Sequence, residues 1–92
     1  MAKPENTVRP RLAAGCRWGD SQGSERMLLY PEGAMRLQGT GREILERCDG
    51  QRTVEQMVEE LQRLYSAGDH ARIREEVGTF LERLQQKRIV DF

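Results

Sequence analysis

The sequence predicts an α+β domain in which a three-stranded antiparallel sheet is followed by a three-helix bundle. Apolar and polar residues alternate between Arg11 and Gln38, with turn residues at intervals, which is the period of half-buried strands. Beyond Thr40 the apolar spacing becomes i, i+3, i+4, the stripe of amphipathic helices. Two Thr-x-x-Glu/Gln capping boxes and an Asp stand where those helices should open.

Residues 1–9 are polar, lack periodicity and stop at Pro10, so a frayed tail is expected ahead of one domain spanning residues 10–92. In the first strand Leu12, Ala14, Cys16 and Trp18 share a face. Gly19 to Ser24 reads as a turn, and Arg26 to Tyr30 as a central strand whose Met27, Leu28 and Leu29 suggest burial on both faces. Tyr30-Pro31-Glu32-Gly33 reverses the chain, because proline presets φ and glycine tolerates a positive one. Ala34 to Gln38 is then the third strand and an edge.

Thr40 with Glu43 predicts the first helix, carrying Ile44, Leu45 and Cys48 and closing at Asp49-Gly50. Thr53 with Gln56 opens the second, whose stripe is Val54, Met57, Val58, Leu61, Leu64 and Tyr65 before a stop at Ser66-Ala67-Gly68. Asp69 caps the last helix, with Ile73, Val77, Phe80, Leu81 and Leu84 inward, and Ile89-Val90 forms a short extended end.

The chain has 92 residues, enough for one modest core and too few for a deep enzyme cleft. Fifteen basic residues balance fifteen acidic ones, so no bulk charge draws it to nucleic acid or anionic membrane. A charged fraction of 33% and a mean hydropathy of −0.75 would suit disorder, but the regular apolar spacing argues for a folded, soluble domain. Nothing near Met1 resembles a signal peptide and no run approaches membrane-spanning length, so the expected address is the cytoplasm.

Catalytic signals are missing. The single histidine, His70, falls in a linker with no serine or cysteine near it in sequence. Cys16 and Cys48 lie far apart and match no zinc spacing, so core packing explains both, and no metal or cofactor is expected. Glu59-Glu60 and Glu75-Glu76 fall on outer helical faces, and neighbours in a helix point about 100° apart. Gly39-Thr40-Gly41 lacks the frame of a phosphate loop, and Asp20-Ser21 sits in a turn rather than at the helix start a carrier-protein serine needs.

Two binding readings remain. Strands followed by three helices also suit a winged-helix nucleic-acid binder, but Arg72, Arg74, Arg83, Lys87 and Arg88 are interrupted by Glu75, Glu76 and Glu82. The favoured reading is a peptide added as a strand along Ala34, Met35, Arg36, Leu37 and Gln38, with Met35, Leu37, Ile73, Val77 and Phe80 supplying apolar pockets against the last helix. Proline at Met35 or Leu37 would break such a ladder only if those N–H groups point outward. The same edge also suits a second copy, so a monomer and a strand-exchanged homodimer are both expected possibilities.

The stretches RPRLAAGCR, LLYPEGAMRL, EILERCDGQRT and FLERLQQKRI, in that order from Pro10 to Ile89, resemble the PqqD family, peptide chaperones of pyrroloquinoline quinone biosynthesis. The resemblance implies a winged-helix-like domain that is no enzyme. It implies that the partners are the ribosomally made precursor peptide PqqA and the radical S-adenosylmethionine enzyme PqqE, to which the peptide is presented. Related domains take the leader on the third strand beside the last helix, which places the role on Ala34 to Gln38 and on Ile73, Val77 and Phe80. This chain departs from the family pattern at Gln38, at Gly41, where similar sequences carry Ala, and at Arg88, where a Gly is common and a left-handed cap is costly for arginine.

Overall fold

The computed structural model describes residues 3–65 and 69–92. These form β1 (Arg11–Leu12), β2 (Arg17–Gln22), β3 (Glu25–Tyr30), β4 (Gly33–Leu37), α1 (Gly39–Glu46), α2 (Val54–Leu64), α3 (His70–Gln86) and β5 (Val90–Asp91). The expected antiparallel sheet is present in the order β2-β3-β4, with β3 central, ahead of the three helices.

The first strand differs from its alternation. A turn at Ala14-Gly15, with Gly15 at φ +86°, splits it in two. Arg11 and Leu12 leave the main sheet and pair with Asp91 and Val90 of β5, so the two ends of the domain close on each other. The main sheet's first strand begins only at Arg17 and continues through the expected turn, with an irregularity between Trp18 and Ser21. The reversal comes at Gly23-Ser24, where Gly23 takes φ +63° at the first central position of a two-residue hairpin loop.

Because cross-strand partners share a face, Trp18, Leu28 and Met35 lie inward with Arg26, Tyr30 and Leu37, while Met27, Leu29, Ala34 and Arg36 lie outward. Leu28 is fully buried beneath α1. Arg26 is the inward cation: its guanidinium lies 4.2 Å from the Trp18 ring centroid and donates to Glu46 at 2.6 Å, tying the sheet to α1. The core is completed by Ile44, Leu45, Cys48, Val54, Met57, Val58, Leu61, Ile73, Val77, Leu81, Leu84, Ile89 and Val90.

The capping box at Thr53 and Gln56 forms as the sequence predicts, and Asp69 accepts from the Ala71 and Arg72 amides. The one expected at Thr40 and Glu43 does not form. Gln38 is the cap residue and makes no side-chain bond, Gly39 carries the turn at φ +57°, and Glu43 pairs with Arg47 at 2.9 Å. α1 ends at Glu46, short of Asp49-Gly50; the Asp49 carboxylate instead accepts the Gln51 and Arg52 amides in the loop. Leu64 leaves the expected stripe and is 51% exposed. His70 is the first residue of α3 rather than a linker residue, and the predicted stop at Ser66-Ala67-Gly68 lies outside the described residues.

The described part of the tail is tied down. Asn6 and Val8 carbonyls accept the Glu55 and Val54 amides, which are orphan donors at the start of α2. The Asn6 side chain meets Arg74, and Lys3 pairs with Glu75 across Gly78 of α3. At the other end, Arg88 adopts φ +61° despite its side chain. The Ile89 N–H donates to the Leu84 carbonyl and the Arg88 N–H to that of Gln85, the paired bonds of a Schellman cap, with Ile89 and Leu84 both buried. Among the described residues no helix is long and apolar enough to cross a membrane.

Candidate peptide-binding edge

β4 is an outer strand of the main sheet, and its register decides which backbone groups are free. Tyr30 pairs with Gly33 across the two-residue Pro31-Glu32 turn. A pair that closes so tight a loop must exchange both of its own N–H···O=C bonds, so the alternation makes Leu28–Met35 and Arg26–Leu37 bonded pairs as well. Ala34 and Arg36, opposite Leu29 and Met27, therefore turn their N–H and C=O groups away from β3. Gln38, extended at φ −149° and ψ 166°, continues the alternation, so its N–H also faces outward while its carbonyl accepts from Arg42.

Beyond the strand's end lies a groove of about 490 Å³ between α1 and α3, lined by Thr40, Gly41, Ile44, Thr79, Phe80 and Arg83 among others. Gly41 makes the space. A Cβ there would come within 3.3 Å of the Phe80 ring and 3.7 Å of Leu37, so the absent methyl leaves room where strand, α1 and α3 converge.

The residues expected at the site separate into two groups. Ala34, Arg36 and Gln38 are exposed, and Met35 and Phe80 are half-buried, so all five are within reach of a ligand. Leu37, Ile73 and Val77 are core residues, with Val77 fully buried; they support the groove and do not line it. The sequence did not mark Gly41, Ile44, Thr79 or Arg83 as part of the peptide site. The last two lie with Arg72 and Glu76 at i, i+4, i+7, i+11 along α3, a spacing that marks a face beside the core stripe.

Charge at the edge is unevenly satisfied. Arg72 pairs with Glu76 at 3.3 Å and Arg42 with Glu46 at 3.4 Å, whereas Arg36 and Arg83 have no ion partner among the described residues. The densest ion network lies elsewhere, where Glu60 takes Arg47 at 3.0 Å and Arg52 at 2.8 Å. Burial pushes the Glu60 carboxyl up, but hydrogen bonds from Arg52 and Arg47 outweigh it and hold the group below its ordinary range. That network braces the α1–α2 loop.

Both thiols are free. Cys48 is buried at the end of α1, where burial, with Asp49 adding to it, pushes its pKa up to about 12 and keeps it a thiol. Cys16 is half-buried beside the Arg88 carbonyl, in the turn before β2. Among the described residues no three His, Cys, Asp or Glu side chains gather as metal ligands would.

An edge strand beside a helical groove gains meaning from sequence comparison. The family model of coenzyme PQQ synthesis protein D (PqqD) matches residues 25–90. The chain belongs to the PqqD family. It is 34% identical over 84 residues to a PqqA binding protein of Stutzerimonas stutzeri, covering 89% of this chain and 88% of that one. It is 41% identical over 51 residues to a PqqA binding protein of Methylococcus capsulatus, a match spanning 55% of this chain and about half, 54%, of the relative. Among solved structures it is similar to the PqqD truncation of Methylobacterium extorquens PqqCD, described as a stand-alone recognition element for ribosomally synthesised, post-translationally modified peptides; the TM-score is 0.73 at 31% identity, over 90% of this chain and 88% of that one. The PqqD resemblance seen in the short motifs, and the sheet-then-helices architecture, are both upheld.

Proposed function

We propose that this domain binds the precursor peptide PqqA as a fourth strand along Ala34, Arg36 and Gln38 and presents it to the radical S-adenosylmethionine enzyme PqqE, doing no bond chemistry itself. The observation that carries the reading is the free backbone edge of β4 running into the groove at Gly41 and Phe80. Its support from outside the chain is the PqqA-binding name of both relatives and the recognition-element description of the solved structure.

The outward groups of Ala34 and Arg36, with the Gln38 N–H, allow about five guest bonds at roughly 1 kcal/mol net each. Ordering a flexible peptide costs about 2–5 kcal/mol, so the ladder alone is weak. An apolar guest side chain buried beside Phe80 adds about 1.5–3 kcal/mol, which makes the groove the larger source of affinity. Delivery then follows from raising the peptide's effective concentration beside the modifying enzyme.

A heteronuclear NMR titration with synthetic PqqA tests this. Saturable shifts centred on Ala34 to Gln38 and on Phe80, Thr79 and Gly41 are expected; shifts confined to other faces would overturn it. The rival nucleic-acid reading loses ground because Arg72 is paired with Glu76 and Arg74 with the Asn6 side chain. Sedimentation with and without peptide addresses self-association, since a homodimer through β4 would dissociate as peptide binds.

A further inference from the structure

We propose that the edge strand selects its guest by a carboxylate: the peptide side chain directly opposite Arg36 is Asp or Glu, set between positions whose side chains are apolar. This rests on the strand-addition reading and names what that strand must carry. Arg36 is one of the positions whose backbone faces outward, so a guest residue pairs with it directly, on the same outer face, with Cα atoms about 5.5 Å apart. Its neighbour on the other side is Met27, which offers no oxygen acceptor in its side chain, and no acidic residue pairs with it among the described residues. Asp20 and Glu25 line the same outer-face cavity, yet neither pairs with Arg36, so its donor fork is open to a carboxylate on the incoming strand.

The neighbouring positions sharpen the pattern. Ala34, two residues before Arg36 on the same face, bears a methyl beside the half-buried Leu29, so it makes no polar demand on its guest partner. Gln38, two residues after, meets a polar partner without charge preference. Guest residues between these three turn to the inner face, where Met35 and then Phe80 and Gly41 present apolar surface. The occupant is thus an extended segment with a carboxylate on its outer face and apolar residues at the two flanking inner positions.

An arginine on an exposed edge also discourages strand pairing between copies of a protein, and the experiment separates the two roles. Binding of synthetic PqqA is measured for the native domain, R36Q, R36E and A34P, and for a peptide panel in which each Asp or Glu becomes Lys in turn. R36E is expected to weaken native peptide about tenfold, R36Q less, and one Lys peptide to recover its affinity on R36E alone. If A34P folds, by its amide spectrum, yet binds like the native domain, strand addition fails and this inference with it. If A34P abolishes binding while R36E and R36Q bind native peptide unchanged, strand addition stands and the carboxylate preference is overturned, leaving Arg36 as an edge guard.

Discussion

Proline scanning along β4 tests the register at single-residue resolution. Met35→Pro removes an N–H that the register pairs with the Leu28 carbonyl in the middle of the sheet. The ladder bond is lost, a carbonyl on a fully buried residue is orphaned, and the ring crowds β3; together these cost about 3 kcal/mol or more. Small domains are stable by about 5–15 kcal/mol, so M35P should lose much of that margin. Arg36→Pro, one residue on, removes an N–H that faces solvent, and its fold should cost less than about 1 kcal/mol. With PqqA the order inverts. Under strand addition R36P would delete the central guest bond and leave a guest carbonyl facing a ring, a loss of about 2–3 kcal/mol or roughly thirty- to a hundred-and-fifty-fold in affinity. Arg36→Ala separates the side chain from the backbone, and urea titration with calorimetry reads stability and binding on each variant. If R36P is as unstable as M35P, or binds peptide as R36A does, the outward assignment of Ala34 and Arg36 is refuted.

Other consequences follow from single features. Arg88→Gly relieves a left-handed backbone at the α3 cap and should stabilise the domain by about 1 kcal/mol, raising Tm by about 4–8 °C, whereas a lower Tm would mean the Arg88 side chain contributes more than its strain costs. Glu60, held below its ordinary pKa by Arg52 and Arg47, contributes stability above about pH 4.3 that is lost as pH falls through its depressed folded value. Glu60→Gln should thus cost up to about 1 kcal/mol at pH 7, since all three side chains stay partly exposed, and converge with the native domain in urea melts once the pH is low enough to protonate Glu60 in the folded state. Gly41→Ala adds a methyl 3.3 Å from Phe80, whose half-exposed ring can yield, so Tm should hold or rise while PqqA affinity falls; unchanged affinity would show that the peptide does not use the groove.

Local motifs were readable where local physics decides. Thr53 and Gln56 form their capping box because both partners lie within one helical turn and nothing distant competes. Thr40 and Glu43 carry the same signal and fail, because the chain stays extended through Gln38, turns at Gly39 and starts the helix there, one residue before Thr40, leaving its hydroxyl inside the first turn. Leu12 alternates correctly with Cys16 and Trp18, yet Gly15 turns the chain between them and Leu12 finds its partner in Val90, at the far end of the sequence. Residues 3–9 looked featureless since their anchors are backbone carbonyls meeting α2's orphan donors, and side-chain patterning carries no trace of those.

The site divides along the same line. The Pro-Glu-Gly reversal, the placement of Ala34 to Gln38 as an outer strand and the apolar stripe of α3 were legible, because turn chemistry and the periods of strand and helix are properties of neighbouring residues. Which N–H groups of β4 face outward depends on the pairing with β3, and pairing register is a relation between two strands. Val77 and Phe80 share one stripe in the sequence, but packing buries the first completely and leaves the second at the groove because Gly41 withholds a methyl from it. Composition and period set which residues seek the interior; the relative placement of β4, α1 and α3 set which of them a peptide can reach.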